Sequence, residues 1–491
     1  MIARPGVALL VLTGLVVACS SSQPGPPSLP ASLGYTLAAK VTAEAMLTHL
    51  RALQDIATAH NGNRAEGTPG YDASVEYVVK TLRSKGFDVA TPQFDRLYTA
   101  SPGQPTLTVA GQSYPVDQAS LLVRTPPGGI TGPVVRPVKP GGCAAADYRS
   151  ALPKGAIAVV DDSGCSIVDK HNAAAARGAA ALIVTSEPGS QGAPPKLFVP
   201  GYYNQLRLPV AVAGADGAAA LRHTTSPIRL TLDTATVKIT SRNVLAQTKT
   251  GSTKDVVMVG AHLDSVQEGP GINDNGSGVA AVLETALQLG SAPPVTNAVR
   301  FAFWGAEEEG INGSIDYVFG LSRAQLNDIA LYLNADTVGS PNAGFFTDDG
   351  DQSGPPGAGI APQDVPEGSA GIERVLAGYL NLAGKRPADM PLSTKTDYRP
   401  FLVAGVPIGG VTTGASQQKT TAQARLWGGK PGAPFDPNYH SARDTIDNIN
   451  RDALAVMGSA VAFAVGSYAQ SLSGVNGVPP HDKRNRTPMR P

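Results

Sequence analysis

The stretch Val256-Val257-Met258-Val259-Gly260-Ala261-His262-Leu263-Asp264-Ser265 decides the fold. Its first five residues are a short apolar run that reads as a buried strand, and they lead directly into a histidine and a carboxylate two positions apart. Extended backbone turns residues two apart to the same side, so His262 and Asp264 can act together. The same grammar returns downstream. The run 299–304 delivers Glu307, Glu308 and Glu309 after a Gly305-Ala306 turn, and 329–333 ends in Asn334, Ala335 and Asp336. Helical spacing at 278–289, a further strand at 408–411 and a last helix near 452–468 complete an alternation of strands and helices. Such alternation predicts an α/β domain with a largely parallel central sheet. Ligands of these sheets gather at the carboxyl ends of the strands, where the polar residues above lie.

Upstream, 42–59 and 71–85 carry apolar residues at helical spacing, the second ended by Gly86 and followed by a strand. Near 105 the texture changes to short β-rich runs broken by Gly and Pro, and near 241 it changes back. We read 36–104 and 241–472 as two parts of one domain, 105–240 as an inserted β-rich domain, and 473–491, which has no apolar pattern, as a disordered tail. At the other end, a single Arg4 precedes the apolar run 7–17, too short for the roughly 20 residues that span a bilayer. This is a signal-peptide pattern over 1–18. Val16-Val17-Ala18-Cys19 resembles the bacterial lipobox, in which the cysteine is lipidated; ordinary cleavage after Ala18, leaving a free thiol, is the alternative. A Ser/Pro-rich linker, 19–35, follows. The reading is an exported protein tethered through Cys19 to the outer face of the cytoplasmic membrane. Cys143 and Cys165 remain as an even pair in a disulfide-permissive compartment, read as bonded, with two separate thiols as the alternative.

Composition narrows the function. Among 491 residues, 39 Lys plus Arg balance 39 Asp plus Glu, so no basic excess draws the chain to nucleic acid. No internal stretch is apolar enough for a polytopic membrane protein. What the strand ends do offer is a set of imidazoles and carboxylates: His262, Asp264, Asp274 in the glycine-rich run 271–278, Glu307 to Glu309, Asp336, and Tyr439-His440 on a distant loop. These O and N ligands suit Zn, Mn or Co and lack the thiolates of a structural zinc site. Taken singly, a His-Leu-Asp after a strand is a core histidine and a run of Glu is a solvated loop; the five clusters in order carry the reading.

AHLDS (261–265), GINDNGSG (271–278), VRFAFWGAEEEG (299–310), NADTVGSPN (334–342), GVPIGG (405–410) and the run 422–450 around Tyr439-His440 resemble the M28 family of dinuclear zinc aminopeptidases. DDSGCSIVDKHNAAAARGAAALIV (161–184) resembles the protease-associated (PA) domain inserted in several exopeptidases. The resemblance implies the zinc-exopeptidase fold, a mostly parallel mixed sheet flanked by helices, and two Zn2+ per chain. It makes His262 and Asp336 ligands of one zinc, Glu308 and His440 ligands of the other, and Asp274 the bridge. Glu307 is then the general base acting on a metal-bridged hydroxide, Asp264 orients His262, and Tyr439 stabilises the oxyanion. The implied substrates are peptides and proteins with a free N-terminus. Two departures stand out: Asn438 and Arg443 replace cysteines that flank the Tyr-His pair in secreted relatives, and Lys395 falls where those enzymes place an arginine. The other histidines, His49, His60, His171, His223 and His481, read as surface or structural. The competing functions are an inactive receptor-like protein of the same fold, a carboxypeptidase and a glutaminyl cyclase.

Overall fold

A computed structural model describes Met1 and residues 32–489 apart from 187–193, 195 and 200; Cys19 and the rest of the leader lie outside the described residues. Eight strands form the central sheet: β1 (Asp88–Ala90), β2 (Val244–Gln247), β3 (Ser252–His262), β4 (Asn297–Trp304), β5 (Ile329–Ala335), β6 (Phe346–Asp348), β7 (Ala388–Met390) and β8 (Ile408–Thr412). Their spatial order is β1-β2-β4-β3-β5-β8-β6-β7. The four central strands, β4, β3, β5 and β8, run parallel, and β2 joins β4, and β6 joins β8, antiparallel. β3 is apolar through its second half because both faces are covered. One face packs on the helices Ala43–Ala59, Gly278–Leu289 and Arg451–Gln470, and the other on an aromatic cluster of Trp304, Tyr332 and Phe401. The parallel register sets His262 beside Trp304, so the histidine and the turn into Glu307 leave the sheet at one edge.

Contrary to the expectation that no internal stretch is apolar enough for a membrane, the helix Arg451–Gln470 is long and apolar enough to cross one, yet 67% of that window is buried inside the protein. It is therefore a core helix, apolar on nearly every side because it is enclosed. Thr42 and Thr68 cap the helices Ala43–Ala59 and Pro69–Ser84, each hydroxyl accepting the N–H three residues on.

A second eight-stranded sheet is built from residues between Thr106 and Thr231. Its two ends, Ile130–Gly132 and Val134–Val135, are separated in sequence only by Pro133, so the sheet curls round on itself. Apolar clusters fill both faces, and Cys143 and Cys165 form a disulfide with their Cα atoms 5.9 Å apart. A ribbon of two antiparallel strands, Gln93–Ser101 and Ala235–Arg242, carries the chain out to this sheet and back.

Two expectations need correction. The N-terminal linker ends earlier than position 35, since a helix begins at Leu33 and its first N–H is held by Gln470 at 2.8 Å. The tail 473–489 is ordered. Arg484 and Arg486 are buried, donating to the carbonyls of Pro479, Lys254, Asn327, Leu326, Gly405 and Ile329, and Arg484 pairs with Asp255 at 2.6 Å. A guanidinium has five donors, so a short polar segment can be pinned by carbonyls without an apolar stripe.

Candidate metal centre

The strand ends and loops converge on a cavity of about 830 Å³ lined by His262, Asp274, Glu307, Glu308, Asp336, Tyr439 and His440. Within it are two groups of three ligands whose donor atoms lie within 4.8 Å of one another: His262, Asp274 and Asp336, and Asp274, Glu308 and His440. Asp274 belongs to both. Its Oδ1 is 3.2 Å from His262 Nε2 and its Oδ2 is 3.1 Å from His440 Nε2, while Asp336 Oδ1 is 3.6 Å from His262 Nε2 and Glu308 Oε2 is 3.1 Å from His440 Nε2.

Each ligand is aimed by local structure. His262 ends β3. Asp274 sits on the turn 271–277, which Gly271 enters at φ 60; a Cβ there would meet the Asp274 carbonyl at 2.4 Å, so glycine is required. Behind that turn, the Asp444 carboxylate accepts the N–H of Asn273 at 2.7 Å and of Asp274 at 2.9 Å. Asn273 in turn donates to Asp436 at 2.6 Å. Arg64 is fully buried beneath the turn and donates to the carbonyls of Leu263, Pro270 and Gly271. Sequence reasoning missed Arg64, Asp436 and Asp444. Asp264, expected to orient His262, has its carboxylate 3.7 Å from Nδ1 and its backbone carbonyl 3.2 Å from the same nitrogen. The Asp264 carboxylate also accepts the backbone N–H groups of Glu307 and Glu308, each at 3.2 Å, and so braces the loop that presents both side chains. Tyr439 stacks on His440 with ring centroids 3.8 Å apart. Lys395 lines the same cavity. The histidines set aside earlier lie elsewhere: His49 binds Tyr77 and Glu284, His171 accepts two backbone amides, and His481 pairs with Asp328.

Electrostatics shows what the site suits. Burial and Asp274 push Glu308 up to about 7, and burial with neighbouring carboxylates holds Glu307 well above the usual range. Asp274 is held near 2 against its burial by the two imidazoles. His440, although burial opposes its charge, is raised to about 10 by Asp274 and Glu308. Among the described residues, the buried oxygens Asp274 Oδ2, Glu308 Oε1 and Asp336 Oδ1 have no hydrogen-bond donor, although imidazole nitrogens lie 3.1 and 3.6 Å from the first and the last of these atoms. Buried carboxylates left without donors are costly unless a cation compensates them. The donor set thus fits two adjacent cations sharing Asp274. A third trio, Asp349, Glu373 and Asp389, is accounted for locally, its oxygens accepting the amides and hydroxyls of the loop 351–354.

Comparison with known proteins gives consistent matches. A family model described as peptidase family M28 matches residues 243–465, and one described as the PA domain matches 130–221. A probable lipoprotein aminopeptidase, LpqL, of Mycobacterium tuberculosis is 48% identical over 486 residues, covering 98% of this chain and 96% of its own. An aminopeptidase of Pseudomonas aeruginosa is 40% identical over 446 residues, 88% of this chain and 82% of its own. Among solved structures, a zinc aminopeptidase from Bacillus subtilis aligns at 25% identity over 89% of this chain and 97% of that one, with a TM-score of 0.49.

Proposed function

The chain belongs to peptidase family M28 and carries a PA domain, and on that premise we propose that it is an exported, lipid-anchored aminopeptidase holding two zinc ions. It removes residues singly from the free N-terminus of peptides and proteins. The observation that carries this reading is the placement of Asp274, whose two oxygens face two different imidazoles at 3.2 and 3.1 Å. In this reading His262 and Asp336 hold one ion, Glu308 and His440 the other, and Asp274 both. Bound there, zinc supplies Lewis acidity that polarises the scissile carbonyl and makes water acidic near neutral pH.

Glu307 is the general base. Its burial keeps its proton affinity high, which suits a group that accepts a proton from the attacking water and returns it to the departing amine. Asp264 keeps Glu307 in place through the loop amides. Tyr439, whose phenol is driven far above its ordinary value by burial and the surrounding carboxylates, stays protonated and donates a hydrogen bond to the developing oxyanion. The substrate ammonium meets Glu307 and Asp336, both of which line the cavity, and this pairing limits cleavage to the first residue.

The deciding experiment measures zinc content and hydrolysis of aminoacyl-nitroanilides for the wild type and Glu307→Ala. We expect two zinc ions per chain in both and a loss of turnover of about 10²- to 10⁴-fold in the variant. Full turnover with metal still bound removes Glu307 from its role, and cleavage from the C-terminus of N-blocked peptides replaces the aminopeptidase reading with a carboxypeptidase. The anchor is tested by detergent partitioning of Cys19→Ala, which should move to the aqueous phase.

A further inference from the structure

Glu309, the third member of the glutamate run, points away from the metal centre. Its Oε2 lies 3.4 Å from Arg96 Nη1. Arg96 belongs to Gln93–Ser101, the strand that leads the chain out to the second sheet. The same guanidinium donates through Nε and Nη2 to Glu66 Oε2, at 3.3 and 2.7 Å. Glu66 is buried, and its other oxygen has no donor among the described residues. Two residues before it, Arg64 exchanges backbone hydrogen bonds with the Ser265 side chain and N–H, at 2.9 and 3.3 Å. One partly buried cation therefore joins three segments: the outgoing strand, the 64–66 segment that supports the His262 turn, and the loop bearing Glu307 and Glu308.

The loop itself explains why Glu309 matters. After Glu307 the backbone folds back tightly, and the N–H groups of Gly310 and Ile311 both donate to the Glu307 carbonyl at 2.8 Å. Asp264 holds the amide side of this turn, and Arg96 holds its outer corner through Glu309. Asn312 Nδ2 donates to the Glu309 carbonyl at 2.7 Å, so releasing that corner frees the Glu309 side chain while its backbone stays tied to the following helix.

We propose that Arg96 is a positioning residue for the cleavage reaction, holding Glu309 and thereby the turn that aims Glu307 and Glu308. The proposal rests on the reading of Glu307 as general base. It is tested by comparing kcat, KM, zinc content and Tm for the wild type, Glu309→Gln, Arg96→Gln, the double variant and Arg96→Lys.

Each Gln variant should lose about tenfold in kcat, with KM changed by less than about twofold, at full zinc occupancy and well below Tm. The double variant should fall no further than Arg96→Gln, because the two residues act as one unit. Arg96→Lys should recover part of the loss, since an ammonium can meet one carboxylate but not fork between two. If Arg96→Gln fails to fold because Glu66 is left uncompensated, Glu309→Gln decides alone, its side chain being partly exposed and its replacement isosteric. Wild-type kcat in Glu309→Gln, or losses that add in the double variant, overturns the proposal. An inactive wild type would count against the aminopeptidase reading itself, whereas an active wild type with unaffected variants counts against Arg96 alone.

Discussion

Asp444 is buried behind Asp274 and spends both oxygens on the amides of Asn273 and Asp274. Asp444→Ala should leave two buried N–H groups unpaired, at about 1–3 kcal/mol each, and weaken metal binding about 10- to 100-fold. Thermal unfolding and competition with a chelator measure the two effects; Asp444→Asn, which keeps one acceptor, should show less of both. His171 makes a different prediction. Its Nε2 accepts the N–H groups of Arg207 and Leu208 at 2.9 and 3.1 Å, so the ring must be neutral, and burial lowers its proton affinity. The unfolded chain then binds the proton more readily than the folded one. The stability contributed by His171 is complete above about pH 6.5 and declines as pH falls through that value. Melting curves at neutral and mildly acid pH should show a larger decline for the wild type than for His171→Gln. The residues proposed as metal ligands could be singled out because imidazoles and carboxylates at strand ends are rare and local in sequence, and the structure brings them together in one cavity. Arg64, Asp436 and Asp444 could not be, because a side chain that serves carbonyls or amides 163 to 207 residues away leaves no pattern near itself. Asp264 lay between these cases: its place beside His262 was visible, but its other partners, two backbone amides, have no side-chain signature.

At the scale of elements, the turn 271–277 carries the most consequence, since Asp274 depends on its shape. Gly271→Ala should cost about 1–3 kcal/mol from the left-handed backbone alone, and the clash with the Asp274 carbonyl should release metal as well. Urea unfolding and zinc content report both. The central strands were legible as apolar runs, although β3 extends from 252 to 262 where the sequence marks only 256–260, because pairing carries a strand beyond its buried part. The helix expected over 71–85 occupies Pro69–Ser84, shifted by the Thr68 cap. β6 and β7, three residues each, were invisible: strands that short show no periodicity, and only pairing with neighbours makes them strands.

For the whole molecule, the change in texture near 105 and near 241 marks the expected insert, and the strands of the second sheet lie between Thr106 and Thr231. The path between the two bodies was not legible: the ribbon that joins them pairs residues more than a hundred positions apart. The same blindness to long-range pairing made the tail look unstructured, where Arg484 and Arg486 in fact pin it against residues 254 and 326–329.

That ribbon has a consequence for how such a protein could arise. Ser101 stands opposite Ala235, so everything from 102 to 234 leaves and re-enters through two points one strand spacing apart, about 5 Å. A two-residue hairpin turn can close such a gap. Deleting 102–234 and joining the stubs with Asn-Gly should yield a smaller protein that still melts cooperatively and cleaves small anilides, readable by calorimetry and a chromogenic assay. The insert would then be a detachable cartridge, free to be exchanged among hydrolases without disturbing the chemistry beneath it.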